Sequence, residues 1–79
     1  MFCVKLTRLS YTKKGMPIFL VSYWTGLKRD SFHGGNLYPT FGCRFQSYKL
    51  TKEQATNRVK EFENFFLNVG WRFSLEELQ

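Results

Sequence analysis

Apolar residues open the chain at every second position. Phe2, Val4 and Leu6 alternate with Cys3, Lys5 and Thr7, the period of a strand with one buried face. The apolar phase then moves to Leu9 and Tyr11, a switch that predicts a bulge near Thr7 and Arg8. Lys13, Lys14, Gly15, Met16 and Pro17 supply a turn, and Ile18 to Thr25 reads as a central strand hairpinned to the first, apolar and aromatic on both faces. Gly26 to Gly42 holds four glycines and Pro39, with Leu27 to Phe32 either a short edge strand or the stem of a loop. A 17-residue loop in so short a chain is usually functional, which makes this stretch the first candidate for a binding element. Cys43, Phe45 and Ser47 alternate with Arg44, Gln46 and Tyr48, predicting a further strand that ends near Leu50.

Thr51 followed by Gln54 three residues later is a capping box and predicts a helix start. Ala55, Val59, Phe62, Phe66 and Val69 recur at spacings of four and three, so they share one face, and Gly70 stands where a left-handed cap would close the helix. Trp71, Phe73 and Leu75 alternate with Arg72 and Ser74 in a last strand, and Glu76 to Gln79 form a short tail. The elements define an α+β fold over residues 1–79 as a single domain: a mixed, mainly antiparallel sheet of four or five strands with one helix packed on one face. A right-handed helical crossover would make its two flanking strands parallel. One helix cannot cover both faces of such a sheet, so the other face must be solvated, shielded by the long loop or used for binding.

Composition adds the means of folding and a sign of charge. The 79 residues include nine Phe, four Tyr and two Trp, whose large buried areas offset the chain entropy of a small domain. The formal net charge is +6. The basic excess lies before Thr51: eight Lys and Arg stand against Asp30 alone, whereas four face five glutamates after it. Such asymmetry suits an acidic partner, and it also keeps an aromatic-rich domain soluble. No apolar run approaches membrane-spanning length, and Lys5 and Arg8 interrupt the N-terminal stretch, which also lacks a small-residue cleavage site. A cytoplasmic protein without membrane contact is expected, with Cys3 and Cys43 as two packed thiols, a disulfide between neighbouring strands being the less favoured alternative.

Candidate chemistry is sparse. His33 is the only histidine, so ordinary acid–base catalysis would have to run through it, with Asp30 to orient it and Ser31, Cys3 or Cys43 as nucleophile. His33, Gly34 and Gly35 have the look of an esterase oxyanion loop, yet no G-x-S-x-G elbow accompanies them. No paired ligand spacing points to a metal, and Gly34 and Gly35 lack the Lys and Ser/Thr of a phosphate-binding loop. The chain is therefore expected to be non-enzymatic, without metal or cofactor. What remains is basic charge interleaved with rings, which gives a candidate partner-binding set of Lys13, Lys14, Lys28, Arg29, Phe32, His33, Tyr38, Arg44 and Tyr48. Cations for phosphates and flat rings for unpaired bases are also what a direct nucleic-acid binder needs. Thr40 to Tyr48 lacks the aromatic alternation of a ribonucleoprotein sheet motif. On the helix, Leu67 lies opposite the buried stripe and would form a protein-binding patch if it adjoined Phe65 or Leu78.

The hairpin from Met1 to Thr25 and the strand–helix–strand unit from Cys43 to Leu75 give the chain a size and element order that resemble the small single-domain inhibitors of phages and mobile elements, including the anti-CRISPR group. The resemblance implies a non-catalytic inhibitor that occupies a surface on a host protein or nucleoprotein complex. Because this chain is basic, a grip on acidic protein or on bound nucleic acid fits better than imitation of nucleic acid. The alternative is a direct nucleic-acid-binding domain using the same cations and rings.

Overall fold

The computed structural model describes residues 1–30, 34–67 and 70–78. Strands β1 (Phe2–Tyr11), β2 (Pro17–Asp30) and β3 (Asn36–Gly42) precede a 3₁₀ turn (Arg44–Gln46), helix α1 (Lys52–Phe65) and strand β4 (Trp71–Glu77). The four strands form one sheet in the order β3-β2-β1-β4. Every neighbouring pair is antiparallel. The class is thus α+β with a single helix, as the sequence pattern implies, but the expected parallel pair is absent among the described strands. The reason lies between Cys43 and Leu50.

That segment is not the strand its alternation suggests. Gln46 N–H bonds Cys43 O and Ser47 N–H bonds Arg44 O, each at 3.1 Å, and Ser47 Oγ also donates to Arg44 O. These local bonds wind the chain into one 3₁₀ turn. Extended pairing is reduced to an isolated bridge, in which Phe2 and Leu50 exchange two backbone hydrogen bonds of 2.7 Å. The additional strand lies earlier, at Asn36–Gly42, where Leu37, Pro39 and Phe41 alternate with Tyr38 and Thr40. Pro39 marks an edge strand here, a position that tolerates a missing N–H. Leu27 to Asp30 belongs to β2 itself, so the expected long loop is mostly a second hairpin.

β1 carries no bulge near Thr7 and Arg8, since its register to both neighbours runs on unbroken through those residues. The one irregularity falls between Trp24 and Gly26, opposite β3. Gly26 has φ +150°, and a Cβ on it would lie 3.2 Å from the Tyr48 hydroxyl. There β2 parts from β1, and Tyr48 N–H takes the Trp24 carbonyl instead.

Helix α1 starts at the expected capping box, with Thr51 and Gln54 exchanging side-chain-to-backbone bonds. It ends at Phe65, earlier than the pattern suggests; Val69 lies outside the described residues. Gly70 serves the turn into β4 and does not cap the helix: its φ is +89° and its carbonyl accepts from Leu9 N–H. Ala55 and Phe62 face the sheet and join Val4, Leu6, Trp24 and Phe73 in the core. Phe62 meets Trp24 and Phe73, each with ring centroids 5.5 Å away. Each such large side chain contributes roughly 1.5–3 kcal/mol by burial, so docking holds the helix in place. Cys3 is buried, Cys43 is exposed, and both are free thiols.

Candidate binding surface

Residues opposite one another in an antiparallel ladder share a face of the sheet. Val4 and Leu6 lie under the helix, with Leu75 and Phe73 beside them. The alternation of side chains then assigns Cys3, Lys5, Thr7, Leu9 and Tyr11 to the other face, with their partners Tyr23, Val21 and Phe19 on β2 and Arg72, Ser74 and Glu76 on β4. This open face is polar at one end and apolar at the other. Leu9 is 38% exposed, Tyr11 63%, Phe19 68% and Val21 49%. Arg72 flanks this patch through its register partner Thr7. Lys13 and Lys14 occupy the adjoining hairpin tip, where Thr12 closes the turn by bonding Met16 and Gly15.

The patch is open because the single helix covers only the other face, and on the helix side a mismatch of lengths leaves Ile18 and Leu20 exposed as well. β2 and α1 each contain fourteen residues. A strand residue advances about 3.3 Å and a helix residue about 1.5 Å, so the strand reaches about twice as far as its cover. Residues 11–21 are all exposed, and the IFLV run expected in a central strand is solvated on both faces. The phase change at Leu9 and Tyr11 is the signal for this surface in the sequence. Because β1 is regular there, the switch moves apolar side chains onto the open face.

The polar end is held by Glu76. Its Oε2 lies 2.7 Å from Arg44 Nε and its Oε1 3.9 Å from Lys5 Nζ, while the Tyr23 hydroxyl donates to Oε1 at 3.4 Å. Burial raises the pKa of the Tyr23 phenol, and the hydrogen bond to Glu76 and its negative charge add to the effect, with Arg44 opposing.

The basic and aromatic residues singled out in the sequence do not form one patch. Lys13 and Lys14 are separated from Lys28 by most of β2, roughly 35 Å of extended chain. Lys28 and Tyr38 are cross-strand partners. Arg29 is turned to the opposite face and donates to Gly35 O at 2.9 Å. Arg44 is engaged by Glu76 and by the Glu77 carbonyl. Tyr48 packs edge-on against Trp24 at 4.7 Å. Phe32 and His33 lie outside the described residues. Leu9, Tyr11, Phe19, Val21 and Arg72, by contrast, are brought together without being conspicuous in the sequence.

A second apolar surface is a groove of about 290 Å³ lined by Leu27, Leu37, Pro39, Phe62 and Phe65, with Arg58 and Glu61 also on its wall. Leu67 is 85% exposed. Among the described residues no group of three or more His, Cys, Asp or Glu side chains is placed to hold a metal ion, and no helix is long and apolar enough to cross a membrane. The fold and its open face define an α+β chain with a half-covered antiparallel sheet. Comparison with protein families, curated proteins and solved structures finds no match to it.

Proposed function

We propose that this chain is a non-enzymatic binding protein that docks the open face of its β1–β2 hairpin on a protein or nucleoprotein partner, as a small inhibitor of the mobile-element type would. The observation that carries this reading is the exposure of Leu9, Tyr11, Phe19 and Val21 side by side on a regular two-stranded ladder. Solvated apolar clusters of this kind are costly to keep in water and mark interaction sites. Aromatic anchors supply most of the energy of such interfaces, and the cations around them favour an acidic partner. Residues 1–29 contain Lys5, Arg8, Lys13, Lys14, Lys28 and Arg29 and no acidic side chain.

Capture from host-cell lysate with and without nuclease, using the native chain and Phe19→Ser, tests the reading. A stoichiometric protein retained after nuclease by the native chain and lost by the variant supports it. Loss of all bound material on nuclease treatment, with affinity falling steeply and log-linearly with salt, supports the direct nucleic-acid reading instead.

A further inference from the structure

The backbone of β2 offers more than the side chains on its face. Leu9 N–H bonds Gly70 O, so the peptide groups of Leu9 point toward β4. Peptide groups of successive strand residues point to opposite sides, so Ser10, Arg8 and Leu6 point toward β2, and their partners Ile18, Leu20 and Ser22 point back. Phe19 and Val21 therefore aim their N–H and C=O groups away from β1. The Phe2–Leu50 exchange and the Tyr48-to-Trp24 bond obey the same alternation. β3 begins to pair with β2 only at Tyr23, and among the described residues no strand lies beside Phe19 and Val21. Beyond Pro17 at its start this edge, Ile18 to Val21, is apolar, unbulged and uncharged, which soluble sheets ordinarily avoid. The other two edges here are protected, β3 by Pro39 and β4 by Arg72, Glu76 and Glu77.

We infer that the edge from Ile18 to Val21 accepts an extended segment of a partner protein as an added strand, apolar at alternate positions and flanked by carboxylates. The inference rests on the reading of the hairpin as a binding surface and names how it binds. Backbone bonds to Phe19 and Val21 align the segment, and its alternate side chains continue the open face beside those two residues. Lys13 and Lys14 stand at one end of the edge, in a stretch, residues 1–29, without an acidic side chain, which sets the charge of the flanks. A second copy of the chain fits poorly. Two-fold pairing about Leu20 would set Pro17 of one copy against Tyr23 of the other, where Gly42 already pairs, and would bring two cationic hairpins together.

The test uses a labelled peptide of alternating Val and Thr with two carboxylates at each end, a copy N-methylated at its central amides and a copy with lysine flanks. Fluorescence anisotropy is read against the native chain, Val21→Pro, Val21→Thr and Phe19→Ser. Val21→Pro removes one outward donor while leaving the bonds to β1 intact. The acidic peptide should bind the native chain, and Val21→Pro should bind it about tenfold more weakly than Val21→Thr, which changes the same side chain but keeps the amide; the difference is the effect of one lost backbone bond and an orphaned acceptor. The N-methylated and lysine-flanked peptides should fail to bind, and exchange of the Phe19 and Val21 amides should slow in the complex. Equal binding of the N-methylated peptide, or no binding of the acidic one, overturns the inference whatever the folding of Val21→Pro. A native dimer that Val21→Pro dissociates also overturns it, by giving the edge to a second copy. If strand addition fails while Phe19→Ser still abolishes capture of the lysate partner, the edge is excluded and the open-face reading stands.

Discussion

Leu9 and Phe19 face one another across the β1–β2 ladder on the side of the sheet that the helix leaves bare. Leu6, three residues earlier on β1, is sealed beneath the helix. One strand thus presents apolar side chains to two different environments, and the two sites should respond differently to substitution. Phe19→Thr replaces an exposed ring by a β-branched residue that also suits a strand and should change unfolding free energy by about 0.5 kcal/mol or less. Leu6→Ala should cost about 2–5 kcal/mol. Urea denaturation of both variants checks the contrast; a large loss in Phe19→Thr would mean that the open face is covered within the folded chain.

Phe62 stands edge-on or tilted against four rings, Trp24, Phe41, Phe66 and Phe73. Phe62→Ala should destabilise by about 3–5 kcal/mol, because neighbouring rings held by their own contacts cannot collapse fully into the space. The midpoint of chemical denaturation reports the loss, and the near-ultraviolet dichroism of Trp24 should weaken with it.

Gly70 and Gly15 separate two costs of a side chain. Both have positive φ, +89° and +80°, but a Cβ at Gly70 would lie 3.1 Å from Leu9 Cβ whereas one at Gly15 meets nothing within 4 Å. Gly15→Ala should lose about 1–2 kcal/mol from conformation alone. Gly70→Ala should lose more and should loosen the Leu9 amide, seen as faster hydrogen exchange at that residue.

Tyr23 links stability to alkaline pH. Its phenol has a raised pKa in the folded chain, chiefly through burial and then through Glu76. The folded state therefore favours the neutral form, and the associated stability is full below the unfolded value of about 10 and is lost as pH rises through the folded value. Tyr23→Phe should flatten the fall of the urea midpoint above about pH 10 and remove the latest component of the tyrosinate absorbance titration. An unchanged titration would show that Tyr23 ionises freely.

Much of the fold could be read along the chain because its signals are local. The capping box at Thr51 and Gln54, the apolar stripe through Phe62, the alternation of β1 and that of β4 each depend on residues a few positions apart. The turn at Gly15 is set by backbone conformations that glycine adopts freely. The alternation from Cys43 to Tyr48 misled for a related reason: five or six residues of period two are compatible with a strand only if an edge is free beside them. Here the parting of β1 from β2 at Trp24 offers room for a single bridge, and local bonds win.

Amino-acid order by itself determined the helix, two long strands, the closing strand and the basic bias of the first half. Tertiary structure decided which faces and edges remain uncovered, because that depends on which face the single helix takes and on how far elements of different rise reach when packed. A fourteen-residue strand outruns a fourteen-residue helix, and β3 pairs with only the far half of β2. The near half is left with its apolar side chains and its backbone bonds turned to solvent.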